Sequence, residues 1–209
     1  MANDHISQVR KKIIRSPAVL VVDVQNDFCS DEGMLKKAGK DISRIQAMTE
    51  NLLVFLDHIK GLGIPIVYIR SNYDEKYLHR NIIEVYRRNR LANLCSEGTW
   101  GADFYKVRPN KNIFTKYRYN AFTNKKLIKW LKKNKIKTLI LTGCQTDVCV
   151  DSTARSGFIK GYYIVAIEDC LASTINSNHK RVIKFMSRYY GAQIRSSKVC
   201  LRKINGDDI

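Results

Sequence analysis

The stretch IKTLILTGCQTDVCVDSTARSGFIKGYYIVAIED, Ile136–Asp169, decides the fold. Ile136–Gly143 is a run of β-branched and aliphatic residues closed by a glycine, the pattern of a strand covered on both faces. Residues from about Asp147 to Lys160 suit a helix, and Tyr162–Asp169 reads as a second strand. Two apolar strands joined through one helix form a βαβ unit. Such a unit requires parallel pairing and a right-handed crossover.

The same alternation extends in both directions. Ala18–Gln25 (AVLVVDVQ) is another continuous apolar run. After it, Ile42, Ile45, Met48, Leu52, Leu53, Leu56 and Ile59 share one helical face, and Gly61 or Gly63 ends the helix. Pro65–Ser71 (PIVYIRS), Lys111–Lys116 (KNIFTK) and AQIRSS near the C-terminus are further strands. TNKKLIKWLKKN and NSNHKRVIKFMSRYYG read as helices, and the less regular Asn72–Asn110 holds a helix over roughly Tyr77–Leu91. The pattern predicts an α/β fold with a mostly parallel six-stranded sheet and helices on both faces. The 209 residues suit a single domain with residues 1–16 as an N-terminal extension.

Composition narrows the class. An apolar content of 44% excludes a disordered chain. MANDHISQVRKKIIRSP contains no apolar signal core, and no run reaches the length of a membrane span. The cytosol is the expected compartment, with no membrane partner, and there six cysteines do not imply disulfides. The formal charge of +18 gathers in NKKLIKWLKKNKIK, YRRNR and Lys180–Lys203. In the first segment Leu127, Ile128 and Leu131 keep helical spacing with lysines opposite them. We read the charge as solvated helix faces, not as a nucleic-acid site, which needs basic residues collected on one surface.

Open parallel sheets place their sites beyond the carboxyl ends of the strands. The reactive residues there are Asp23, Lys116 and the loop holding Cys144 and Cys149. Cys149 falls in the first turn of a helix that Thr146 or Asp147 can cap. Free N–H groups and the positive end of the dipole favour a thiolate there and can receive an oxyanion. Asp23, in a buried apolar run, suits a general base toward that thiol. Asp27 is a weaker choice because it falls past the strand. Lys116 alone reads as one surface lysine among many, and only its place at a strand end promotes it. A C-x4-C pair with no nearby histidine is a poor zinc signature. Cys29, Cys95, Cys170 and Cys200 read as buried apolar residues. His5, His58, His79 and His179 do not follow a strand beside Cys149, so a Cys–His dyad is disfavoured.

The segments AVLVVDVQNDFC, KYRYNAF, LTGCQTDVCVDSTARSGFIKGYYIVAIEDCLAST and HKRVIKFMSRYYGAQIRSS resemble the isochorismatase-like cysteine hydrolases, over roughly Pro17 to Cys200. The resemblance implies a three-layer Rossmann-like fold and a catalytic triad of Asp23, Lys116 and Cys149. It also implies a cis peptide at Cys144–Gln145 and an oxyanion hole from the backbone amides of Gln145 and Cys149. Nicotinamidase relatives carry a D-x-H metal site after the second strand. Here Asp74 and His79 lack that spacing, so no metal and no cofactor are expected. The intact cysteine points to hydrolysis of a C–N bond in a small amide, ureido or carbamoyl compound. The alternatives are vinyl-ether hydrolysis, a nicotinamidase-like amidase and a non-enzymatic basic binding protein. Gln25, Phe28, Arg70, Asn72, Trp100 and Tyr119 are the expected substrate contacts, and the resemblance implies a homo-dimer or tetramer.

Overall fold

A computed structural model of the chain describes residues 14–109 and 111–205, so most of the expected N-terminal extension lies outside it. The strands are β1 Pro17–Val22, β2 Ile66–Ser71, β3 Ile113–Lys116, β4 Thr138–Cys144, β5 Tyr163–Ala172 and β6 Gln193–Arg195. They form one six-stranded sheet in the order β3-β2-β1-β4-β5-β6, and every neighbouring pair is parallel. The main helices are α1 Ser43–Gly61, α2 Arg80–Arg88, α3 Lys125–Lys133, α4 Asp151–Ile159, α5 Asn176–Tyr190 and α6 Ser197–Asn205. The expected α/β architecture with helices on both faces is present.

Strand alternation explains the layers. Val19, Val21, Ile140, Val165 and Ile167 project to one face, where Ile45, Met48, Leu52, Phe55 and Ile59 of α1 and Cys200 of α6 cover them. Their neighbours Ala18, Leu20, Val22, Leu139, Leu141, Ile164 and Ala166 project to the other face. There they meet Leu127 and Leu131 of α3, Ala154 of α4, and Ile183 and Met186 of α5. Strands buried on both faces need continuous apolar runs, and that is why the runs were legible.

Some boundaries differ from the expected ones. β1 stops at Val22 instead of Gln25, because Asp23 takes a positive φ of 53° and turns the chain out of the sheet. Gln25 instead makes an isolated antiparallel bridge to Phe104. The helix expected over Tyr77–Leu91 is confined to Arg80–Arg88, after a separate 3-10 turn at Glu75–Tyr77. β5 runs past Asp169 to Ala172, with a register shift against β4 between Leu141 and Gly143. Helix α6 was not anticipated.

The strand order places the site. From β1 the chain moves outward to β2 and β3, then returns to lay β4 on the other side of β1. The reversal leaves a crevice between the carboxyl ends of β1 and β4. Gly143 sits at that point with φ of 102°, and a Cβ there would lie 2.1 Å from the carbonyl oxygen of Val22. A side chain would force β4 away from β1 just before the Cys149 loop. Gly143→Ala is therefore expected to destabilise the fold by about 2–4 kcal/mol in urea denaturation. A change within about 0.5 kcal/mol of the parent would contradict the tight approach.

Candidate active site

Three strand ends converge on one buried cluster. Asp23 follows β1, Lys116 closes β3, and Cys149 lies in the turn after β4. Asp23 is fully buried, Lys116 is 1% exposed and Cys149 is 3% exposed. Lys116 Nζ lies 2.8 Å from Asp23 Oδ2 and 3.3 Å from Cys149 Sγ. It also donates to Ser71 Oγ at 2.7 Å and to the Tyr73 hydroxyl at 3.0 Å. Lys116 thus faces four acceptors with the three hydrogens of an ammonium, and its charge is paired with the Asp23 carboxylate.

The electrostatics follow from burial. Desolvation alone would push the Lys116 ammonium down. The Asp23 carboxylate and the Cys149 sulfur outweigh it and hold Lys116 above the usual lysine range. For Cys149, burial and then the Asp23 charge push the thiol up to about 12, against the opposing pull of Lys116. Burial and Asp23 thus oppose the stabilisation of a thiolate that a helix N-terminus would provide. Tyr73, whose hydroxyl is 3.6 Å from Cys149 Sγ, is pushed well up, by burial first and then by the neighbouring sulfur and carboxylate.

The loop around Cys149 is built from backbone and side-chain braces. The Cys144–Gln145 peptide is cis, as the resemblance implied. Cys144 donates its thiol to the Asp23 carbonyl at 3.2 Å, which ties the β4 end to the β1 end. Residues Thr146–Val150 form a π-helical turn ahead of α4, a variation that recurs at functional sites. Neither Thr146 nor Asp147 caps it. Thr146 Oγ1 instead pairs with His179 Nδ1 at 2.9 Å. The Asp147 carboxylate accepts from Ser173 Oγ and Asn178 Nδ2. A histidine thus supports the loop from α5 without being placed against the sulfur.

A cavity of about 140 Å³ opens onto Cys149, with Phe28, Tyr86, Tyr119 and Gln145 among its lining residues. Of the expected substrate contacts, only Phe28 and Tyr119 line it. Gln25 is fully buried and spends its amide on the backbone of Ser71 and Ala102. Arg70 pairs in register with Thr115 and donates to its hydroxyl at 2.9 Å. Strand alternation puts that pair on the face opposite Ser71 and Lys116. Asn72 accepts from the Asp74 amide and so shapes the turn after β2. Trp100 is 48% exposed, and its carbonyl accepts from Asn26 Nδ2. Asp27 is structural: its carboxylate accepts from the backbone amides of Met34 and Cys95. Ser71, Tyr73 and Tyr86 escaped sequence reading because they belong to no motif. Only the place of Ser71 and Tyr73 at the carboxyl end of β2 could have flagged them.

Cys29, Cys95, Cys170 and Cys200 are buried free thiols, as are the two in the loop. Among the described residues no group of three His, Cys, Asp or Glu is placed to hold a metal ion. Asp74 is paired with Lys76, and His79 precedes α2. Nor is any described helix long and apolar enough to cross a membrane.

With this geometry in place, the chain can be set beside known proteins. Residues 17–198 match the Isochorismatase domain, and the chain belongs to the isochorismatase family of hydrolases. In particular, it is 32% identical over 168 residues to the ureidoacrylate amidohydrolase RutB of Enterobacter sp. strain 638, covering 73% of each chain. Its fold superposes on a cysteine hydrolase from Pseudomonas syringae pv. phaseolicola 1448A with a TM-score of 0.82 at 19% identity, over 94% of this chain and 96% of that one. The N-carbamoylsarcosine amidase of Thermoplasma acidophilum gives a TM-score of 0.69 at 25% identity, over 87% and 96%.

Breaking a buried ion pair leaves an uncompensated charge, which costs about 3–5 kcal/mol. Lys116→Met should therefore destabilise the fold by about that amount, and Asp23→Asn in the same chain should recover part of the loss. Additive costs in the double variant, read by urea denaturation, would contradict the pairing.

Proposed function

We propose that this protein is a cysteine hydrolase that cleaves the C–N bond of a small amide, ureido or carbamoyl compound through a thioester on Cys149. The observation that carries the reading is the buried contact of Asp23, Lys116 and Cys149 at three strand ends. The names of the Enterobacter relative and the Thermoplasma neighbour, both amide-cleaving enzymes, support the same chemistry.

The chemistry starts from a thiol. As Cys149 Sγ attacks the carbonyl carbon, its proton passes to Asp23. Lys116 and the Tyr73 hydroxyl stabilise the charge that develops on sulfur. The tetrahedral oxyanion is received by the backbone amides of Gln145 and Cys149. Gln145 follows the cis bond and lines the cavity beside the sulfur, which supports that role. Asp23 then gives its proton to the leaving nitrogen, the C–N bond breaks, and ammonia or an amine departs. A water molecule attacks the thioester while Asp23 takes its proton. Collapse expels the sulfur, which recovers that proton from Asp23, and the acid product leaves.

The test is ammonia release from a panel of small amides and ureas by the purified protein. Cys149→Ala, shown to be folded by circular dichroism, should lower release by at least about 10³-fold. Release unchanged in that variant would sink the covalent route.

A further inference from the structure

The cavity over Cys149 differs in character from the rest of the surface. The chain carries a formal charge of +18, yet among the described residues no lysine, arginine, histidine, aspartate or glutamate lines this cavity. Phe28, Leu35, Val85, Leu91, Leu94 and Val148 supply an apolar wall. The polar-capable lining residues are Asn89, Gln145, Tyr86, Tyr119 and Cys149 itself. Burial pushes the Tyr86 hydroxyl far above its ordinary range, so it stays neutral. Of the arginines on the flanking elements, Arg87 donates to Glu75 and Arg118 to the carbonyls of Tyr77 and Tyr117, while Arg88 and Arg90 are exposed and do not line the cavity.

Behind the wall Lys116 is already paired with Asp23 at 2.8 Å. A carboxylate on the substrate would enter an apolar cavity with no cation in its lining, toward a lysine already paired with Asp23. Burying an unpaired charge in such surroundings is heavily disfavoured. An apolar group in the same place gains from leaving water. The amide end can still be held by neutral groups. Asn89 turns its nitrogen to the Val85 carbonyl at 2.8 Å, which leaves its oxygen to accept from a substrate N–H. Gln145 takes hydrogen bonds from Thr174 on its oxygen, which leaves its nitrogen to donate.

We infer that the substrate is an uncharged primary amide or urea bearing a small apolar group, and that acid-bearing ureido compounds are rejected. This rests on the hydrolase reading above and narrows it. It also separates this chain from relatives named for ureidoacrylate and N-carbamoylsarcosine, whose substrates carry a carboxylate.

Matched pairs of near-equal shape test it. One pair is 4-methylpentanamide and succinamate, and the other is isopentylurea and 3-ureidopropanoate; in each, an isopropyl group replaces a carboxylate. The expected result is a kcat/KM for ammonia release at least about 100-fold higher for the neutral member of each pair. Val85→Arg, which places a cation at the rim, should move that ratio toward the acids by about tenfold or more. Faster hydrolysis of the acids by the parent protein, lost in Cys149→Ala, would overturn this inference and leave the hydrolase reading intact. No ammonia from either pair or from the wider panel would overturn both.

Discussion

A lysine and an aspartate buried side by side with almost no solvent contact constrain everything around them. Either charge alone would be forced toward its neutral form by the cost of leaving water. Together they are tolerated because Lys116 Nζ lies 2.8 Å from Asp23 and also within hydrogen-bond reach of Ser71, Tyr73 and Cys149. That arrangement needs three non-adjacent parts of the chain at fixed spacing. The parallel sheet supplies it, with β1, β3 and β4 presenting their ends to one edge. Gly143, the Cys144 thiol on the Asp23 carbonyl, and the Gln25 amide on Ser71 and Ala102 hold those ends in place. Much of the polar structure around the site therefore serves the ion pair before it serves a ligand.

The pair also sets the chemistry of the sulfur. Burial and the Asp23 carboxylate push the Cys149 thiol up against the attraction of Lys116. In the proposed mechanism the proton acceptor is the same carboxylate that disfavours early ionisation. Such a centre would stay inert until a carbonyl is in position, because charge would appear on sulfur only as the proton moves to Asp23. A free thiolate would be exposed to oxidation and alkylation whenever the cavity was empty.

The layers and the convergence of Asp23, Lys116 and Cys149 were legible in the sequence, for one reason. Strands buried on both faces leave continuous apolar runs, and residues just after such runs sit at one edge of the sheet. Lys116 was the weakest of these, since many lysines share its local pattern and the family likeness had to single it out. Periodicity is silent on what lies between elements. Tyr73 enters from the irregular turn after β2, where no repeat marks which side chains turn inward, and Tyr86 is the buried residue of the short helix α2. Arg70 lies in the strand that was read as Pro65–Ser71, but alternation sends it to the face opposite Ser71 and Lys116. Gln25 and Asn72 lie near the site but serve the backbone.

The most direct test of this account is the ionisation of Cys149 in the resting protein, read as thiolate ultraviolet absorbance in a pH titration of the parent minus Cys149→Ser. The account predicts no thiolate step through neutral pH, with absorbance rising only as pH approaches about 12. A thiolate already formed at neutral pH would contradict it, and would mean that Lys116 and the turn before α4, not Asp23, govern the sulfur.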